Sequence, residues 1–392
     1  MREHPALAAF AFLATATSGL GQTFFISVFG SGIRESFTLS HGNYGLTYSL
    51  ATLISAGLLL KLGSLADRWA VTSVTTLAVG LLAAGCLVMG LAQHWIMLVP
   101  GFLLVRLGGQ AMLSHLGVTV AGRYFVHGRG RIMALTAAGF PVAEAVLPLT
   151  AGLIMLWGGW RLPWLLAVAV LLLVALPTLL LLARHAPHPS SLAGAQADSG
   201  GVGFTRAQVL RDPGFYRILP AAVVVPFTVT AVLFHKSAIG ELRDWSQEHM
   251  VTAFTGFALG HLFSLLFAGS VVDRLGAQRT LSLGLVPIFL GMLILAFSES
   301  VYTPYAYLAV TGVSLGFTAA AGGAIWPERY GIRHIGAIRA VAQATMVLST
   351  ALSPLLVGAL LDGGISTRLL ASLMAVLVLV SALLATTARK PL

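Results

Sequence analysis

Two charged side chains lie inside long apolar stretches of this sequence, Arg106 and Glu144. An ionised side chain at the centre of a bilayer costs at least about 2.5–3.5 kcal/mol, so each one requires a partner or a hydrated cavity. A guanidinium group matches a carboxylate through two parallel hydrogen bonds, whereas a buried carboxyl group can take up and release a proton. Arg106 is therefore a candidate for binding an anion and Glu144 for carrying a proton. The alternative is a permanent ion pair between the two that only braces their helices.

Polar residues accompany Arg106 at helical spacing. Gln110 follows four residues later, and the first apolar stretch carries its own polar stripe that includes Ser18 and Gln22. Such stripes are typical of a cavity wall, although Ser and Thr side chains also bond to the backbone of their own helix. We predict Arg106, Gln110, Gln22 and Ser18 as substrate-binding residues, with helix packing as the alternative for the stripe that contains Ser18 and Gln22.

Two further positions contain groups that could titrate or carry charge within apolar surroundings. His261 lies near the middle of an apolar stretch, and an imidazole titrates near neutral pH, so it joins Glu144 as a predicted proton-coupling residue. A purely structural histidine is the alternative. His235 and Lys236 lie at the outer end of another stretch, where we interpret them as an interfacial anchor, with attraction of anions as the alternative.

The composition requires helices that cross a membrane. Hydrophobic residues make up 57% of the 392 residues, charged residues only 9%, and the mean hydropathy is +0.90. A bilayer core of about 30 Å needs about 20 apolar residues per helix. Twelve such stretches occur, which predicts an all-α membrane protein with twelve transmembrane helices. They cover approximately residues 6–30, 43–62, 71–92, 95–121, 131–156, 162–183, 215–238, 249–271, 280–298, 302–325, 337–360 and 367–387.

The loops between these stretches carry their positive charge on one side. Of the 23 Lys and Arg residues, seventeen fall on the side of the N-terminus and five on the other, with Arg106 inside a helix. Because cytoplasmic loops are enriched in Lys and Arg, both termini are predicted to be cytoplasmic, in a bacterial inner membrane. The net charge of +10 is thus a feature of membrane topology, and no nucleic-acid partner is expected. The five outer residues are Arg34, Arg161, Lys236, Arg243 and Arg368.

A repeat relates the two halves of the chain at a constant offset. Gly63-Ser64 with Asp67-Arg68 recurs as Gly269-Ser270 with Asp273-Arg274, and 269 − 63 = 206. This predicts two six-helix repeats, residues 1–184 and 214–392, joined by a Pro- and Gly-rich cytoplasmic linker over residues 185–213. Further pairs at the same offset are Arg123-Tyr124 with Arg329-Tyr330, Gly130 with Gly336, Pro148 with Pro354 and Gly152 with Gly358.

The charged residues within the helices do not follow this repeat. The counterparts of Arg106 and Glu144 are Gly312 and Thr350, which carry no charge. Features that maintain the fold recur in both halves, so a feature present in only one half points to a role in binding or coupling.

The loop motif identifies a family. Gly63–Arg68 resembles the G-x-L-a-D-R signature of the major facilitator superfamily, and Gly269–Gly276 resembles its degenerate second copy. Trp69, Ala70 and Val71 follow the first copy where the signature usually continues with glycine and basic residues, so the charge cluster there is thinner. The resemblance implies alternating access around a site lined by helices 1, 4, 7 and 10. It also implies charged residues that latch one conformation, which we predict to be Asp67, Arg68, Asp273, Arg274, Arg131 and Arg339.

Shorter segments resemble individual branches of that superfamily. Phe29-Gly30 and Glu328–Arg339 are similar to segments of monocarboxylate porters and oxalate/formate antiporters. The proline-glycine motif of drug/proton antiporters is only partly present, because Glu144 follows Gly139–Pro141 where that motif has a small residue.

We therefore expect a proton-coupled secondary transporter for a small organic anion such as a monocarboxylate. The expected partners are this solute, the lipid bilayer and a proton, and the protein is expected to act as a monomer without a cofactor. Cys86 is the only cysteine and no Walker motif occurs, so neither a thiolate metal site nor ATP hydrolysis is indicated. An exporter of cationic or amphipathic compounds is the first alternative, and a membrane solute sensor is the second. A nucleophile with its base is not found, which argues against an enzyme.

Overall fold

The computed structural model describes residues 4–63, 65–125, 129–184, 186–187, 203–331 and 335–389. Ten helices in this part of the chain are long and apolar enough to cross a membrane, and a bent pair at the N-terminus makes an eleventh. His41–Leu62 adds a helix of 22 residues, about 33 Å long, at the position of the second predicted span. The twelve-helix fold predicted from the sequence is confirmed.

We number the spans in chain order. In the first half they are α1 (Pro5–Gly21 with Thr23–Phe37), α2 (His41–Leu62), α3 (Val71–Gly90), α4 (Trp95–Tyr124), α5 (Arg131–Gly158) and α6 (Leu162–Ala183). In the second half they are α7 (Pro213–Phe234), α8 (Glu248–Leu275), α9 (Ala277–Phe297), α10 (Thr303–Tyr330), α11 (Ile335–Asp362) and α12 (Thr367–Thr386).

The chain divides into two compact units, Met1–Ala197 and Asp198–Leu392. Residues 185 and 188–202 of the predicted linker lie outside the described residues. The described end of that segment contains a short helix, Arg206–Val209. This helix begins with a capping box in which Thr205 and Gln208 satisfy each other's backbone N–H groups.

Within each unit, small residues let helix backbones approach closely. In the first unit, a Cβ added to Gly108 of α4 would lie 2.5 Å from the backbone nitrogen of Leu82 in α3. In the second unit, a Cβ added to Gly312 of α10 would lie 3.0 Å from the backbone nitrogen of His261 in α8. Small residues at helix interfaces are the usual means of tight packing in a membrane, where lipid removes the hydrophobic drive between helices. Large apolar side chains such as Trp157, 90% exposed, instead form the surface available to lipid.

Two arginines predicted only as outer-side charges also cap helices. Arg161 donates to the carbonyl of Ala92, just past the end of α3, at 2.9 and 3.1 Å. Arg243 donates to the carbonyls of Ala296 and Ser298 at the end of α9. A cation at a helix C-terminus satisfies free carbonyl groups and opposes the negative end of the helix dipole. Ala92 and Ser298 are 206 residues apart, so the repeat keeps the capped position although the capping arginines are not equivalent.

Candidate functional site

The buried charge of Arg106 is positioned by two irregular helix segments. The first predicted span was continuous, but α1 bends by 41° at Gln22, whose backbone is extended (φ −90°, ψ 156°). Opposite this break, α4 is a π-helix over Arg106–Leu113. The two segments touch at backbone level, because a Cβ added to Gly21 would lie 2.8 Å from the Cα of Gly109. Irregular backbone of this kind is tolerated at membrane depth only inside protein, and π-segments often mark functional sites.

The guanidinium group of Arg106 is held by neutral groups. It donates to the carbonyl of Gly21 at 3.3 Å and to the hydroxyl of Thr23 at 3.5 Å. Its carbon atom Cζ lies 5.0 Å from the centre of the Tyr48 ring in α2, and the Tyr48 hydroxyl bonds to Thr23 at 2.7 Å. Only 1% of Arg106 is exposed, and its buried Nε has no hydrogen-bond partner in the part of the chain that the structure describes. The carbonyl and the ring face attract the cation without neutralising it.

Glu144 is not the counter-ion of Arg106. The hydrogen bonds and ring contact of Arg106 in the described part of the chain involve Gly21, Thr23 and Tyr48, and no ion pair joins it to Glu144. Glu144 is buried in α5, 4% exposed. Its neighbour Ala143 packs against α1 at Gly19, where an added Cβ would lie 2.7 Å from the Cβ of Ala143. Thus α4 and α5 both contact the region where α1 breaks, but the permanent ion-pair brace considered above is not formed.

The other predicted binding residues lie on the same two segments. Ser18 is fully buried, and its hydroxyl donates to the Thr15 carbonyl of its own helix at 2.7 Å. Gln22 occupies the break itself and is half-buried. Gln110 is half-buried within the π-segment, where the 3.6-residue period that predicted its alignment with Arg106 does not apply. Gly21, Thr23 and Tyr48 were not predicted as contacts of Arg106, because helical periodicity does not predict contacts between different helices.

His261 lies in the other unit, on α8. It is 6% exposed, and its ring meets the Phe257 ring edge to face at 6.4 Å. The tight contact with Gly312 places its backbone directly against α10.

Comparison with known proteins shows which family has this helical arrangement. The family model of the Major Facilitator Superfamily matches residues 11–255 and 218–391. The chain belongs to this superfamily. It is therefore an integral membrane protein and a secondary transporter that works by alternating access, and not an enzyme.

A solved member of the superfamily has the same fold. It is the bacterial homologue of the human lysosomal transporter Spinster, in an inward-facing, unoccupied conformation. The TM-score is 0.71 at 15% identity, over 97% of this chain and 94% of the other. No curated protein matches the sequence.

The superfamily signature loops are partly described. The side chain of Asp67 lies outside the described residues. Four of the other predicted gating residues are exposed, and Arg339, also exposed, donates to the carbonyl of Gly323 in α10. An ion pair between Asp273 and Arg339 is therefore not formed in the described structure. The four exposed residues are Arg68, Arg131, Asp273 and Arg274.

A charged cluster that sequence analysis did not assign joins the ends of α7 and α10. Arg329 pairs with Asp212 at 3.0 Å, and the Tyr330 hydroxyl donates to the same carboxylate at 2.6 Å. The backbone N–H of Gly214 donates to the other oxygen of Asp212 at 2.8 Å. Burial raises the pKa of Asp212, but the hydrogen bonds from Tyr330, Gly214 and Arg329 outweigh it and hold that pKa below its ordinary value.

The repeat contained a signal for this cluster. Arg123-Tyr124 and Arg329-Tyr330 occupy equivalent positions. In the first half, Arg123 donates to the carbonyl of Ala66 at 2.7 Å and the Tyr124 hydroxyl donates to the carbonyl of Pro187 at 2.6 Å. In both halves, the Arg-Tyr pair at the end of the fourth helix therefore binds a neighbouring segment of the chain through side-chain hydrogen bonds.

Proposed function

We propose that this transporter moves a small organic anion of the monocarboxylate type together with a proton. The substrate carboxylate binds Arg106. Protons are carried by Glu144 or His261.

One observation supports the anion: the positive charge of Arg106 is buried, and no carboxylate among the described residues compensates it. A buried ion loses several kcal/mol of hydration, and a desolvated cation–π contact returns about 2 kcal/mol of that loss. One carbonyl and one hydroxyl at 3.3 and 3.5 Å are long hydrogen bonds, and Nε has none. A carboxylate is the ligand that would supply both the missing charge and the acceptors for the planar donor group.

The neighbouring polar residues fit supporting roles. Gln22 and Gln110 are half-buried beside Arg106 on the two irregular segments, and their amides are suited to orienting a polar solute. Ser18 already uses its hydroxyl proton within α1, so its contribution is through its oxygen. Glu144 is buried next to the same part of α1, so a change in its protonation would change the electrostatic potential at the binding site.

The topological proposals follow from the charge distribution. We propose that the protein lies in a bacterial inner membrane, with both termini and the linker on the cytoplasmic side. It acts as a monomer. The signature-loop residues, with Asp67 and Asp273 first, are proposed to favour one conformation rather than to touch the substrate.

Thermal stabilisation of the purified protein by lactate tests the function. A ligand at about 100 times its Kd adds about 2.7 kcal/mol to the free energy of unfolding. We expect lactate to raise the melting temperature of the wild type and of the exposed control Arg279→Lys. Arg106→Lys is expected to show a smaller rise, because an ammonium group cannot reproduce the two parallel hydrogen bonds.

Two results would overturn the proposal. The first is an unchanged lactate response in Arg106→Lys. The second is stabilisation by a cationic dye but by no organic anion, which would instead favour an exporter of cations that binds them through Glu144.

A further inference from the structure

Lys236 is a buried lysine just beyond the end of α7. It begins a short helix, Lys236–Glu241, and is 1% exposed. Its ammonium nitrogen Nζ has no hydrogen-bond partner among the described residues and lies 4.1 Å from the centre of the Phe254 ring. An interfacial anchor keeps its charged end in water. The interpretation of Lys236 as such an anchor is therefore wrong.

The repeat relates this arrangement to that of Arg106. Phe254 and Tyr48 are 206 residues apart, and each ring carries a buried cation on its face. The cations are not equivalent, since Arg106 comes from α4 and Lys236 follows α7. Gly312, the counterpart of Arg106, cannot carry a side chain, because even a Cβ would lie 3.0 Å from the backbone of His261. The second half thus places a cation on the equivalent ring from another element.

The surroundings of Lys236 hold it in place but do not neutralise it. The preceding residue, His235, donates through Nε2–H to the carbonyl of Pro354 in α11 at 2.8 Å, which ties this segment to that helix. Burial of a single ion costs hydration free energy, and no described group returns an opposite charge to Lys236. The fold itself therefore gains nothing from the ammonium group of Lys236. A bound anion would compensate it.

We propose that Lys236 and Phe254 form a second anion-binding site, located in the C-terminal half, that takes a small carboxylate. The ligand class rests on the proposed function, but the site shares no residue with that of Arg106. Each half of the chain then binds one carboxylate on a cation held by an equivalent aromatic ring.

Equilibrium dialysis of radiolabelled lactate onto the purified protein counts these sites. We expect two per chain in the wild type and in the control Lys61→Met, whose lysine is exposed at the end of α2. One is expected in Lys236→Met and one in Arg106→Lys. Lys236→Met is also expected to melt at a higher temperature than the wild type without ligand. If Lys236→Met does not fold, Lys236→Gln, which keeps a polar side chain, is measured in its place, and one site is again expected.

The outcomes separate this proposal from the proposed function. A count that stays unchanged in Lys236→Met but falls in Arg106→Lys overturns the second site and leaves the function standing. A count that falls only in Lys236→Met supports the second site and overturns the role of Arg106. A single site that either substitution abolishes overturns the separate second site, and no lactate binding to the wild type overturns both proposals.

Discussion

Arg329, near the C-terminal end of α10, forms an ion pair of 3.0 Å with Asp212, the residue that precedes α7. The same guanidinium group also donates to the backbone carbonyl of Arg389, beyond the end of α12. Three helix ends of the second unit therefore meet on one arginine whose side chain is 3% exposed. A charge so placed depends on its carboxylate partner.

Asp212→Asn is expected to lower the free energy of unfolding by about 1–3 kcal/mol, the scale of a lost hydrogen bond to a charged group. Because the pKa of Asp212 is lowered in the folded state, its stabilising effect is present above the unfolded pKa near 3.9. It is lost as the pH falls through the lower folded value. Denaturation followed between pH 7 and 3 measures both effects. Asp273→Asn, at an exposed position, is the control, and equal losses in the two variants would contradict the prediction.

Gly21→Ala is expected to weaken lactate binding by at least tenfold and to cost about 1–3 kcal/mol of stability through overpacking. The new Cβ would lie 2.7 Å from the backbone nitrogen of Gln110, so α1 must move away from α4 and take the Gly21 carbonyl from Arg106. Gly57→Ala in α2 is the matched control, since a Cβ there meets nothing within 4 Å. If both variants bind lactate equally, the close approach of the two helices has no part in the site.

Glu144→Gln is expected to separate exchange from accumulation. A neutral amide cannot release a proton, so uphill uptake driven by a pH gradient should be lost, whereas counterflow of labelled lactate needs no net proton movement and should persist. Proteoliposomes containing the variant allow both measurements. His261→Gln is tested in parallel, and uphill uptake that survives in Glu144→Gln but fails in His261→Gln would transfer the coupling role to His261.

The buried ammonium group of Lys236 predicts a stability that increases with pH. Desolvation lowers the pKa of Lys236 to about 7, compared with about 10.4 in an unfolded chain. Between these values the unfolded state binds more protons, so the wild type should gain stability from pH 7 to 10 and Lys236→Met should lack that gain. The charged and titratable groups on the adjoining segments, each of which needs its own substitution as a control, are His235, Glu241, Arg243, Asp244, Glu248 and His249.

Lactate binding to the Lys236 site should weaken over the same pH range, because a neutral amine does not attract a carboxylate. Dialysis of Arg106→Lys at several pH values isolates this site. Affinity that does not change between pH 6 and 9 would contradict a role for the lysine charge.

The fold could be predicted because its causes are local. Apolar length determines each span, and the breaks between spans are visible as polar residues. The one misjudged span was α1, in which Gln22 interrupts the helix with no proline to mark it. That break is stabilised by the contact of Gly21 with Gly109. The two glycines are 88 positions apart, and no pattern in the sequence predicts that they are in contact.

The sequence by itself determined that Arg106 and Glu144 are unusual, because a charge within a long apolar stretch is costly wherever its helix packs. Only the tertiary structure decided their partners. Arg106 contacts the carbonyl of Gly21 and the ring of Tyr48 rather than Glu144, and Lys236 lies on a ring instead of at the surface. The physical reason is that a contact between helices depends on where each backbone bends and how closely glycines let it approach. Those distances are set by all the helices packed together, and no single segment of the sequence contains them.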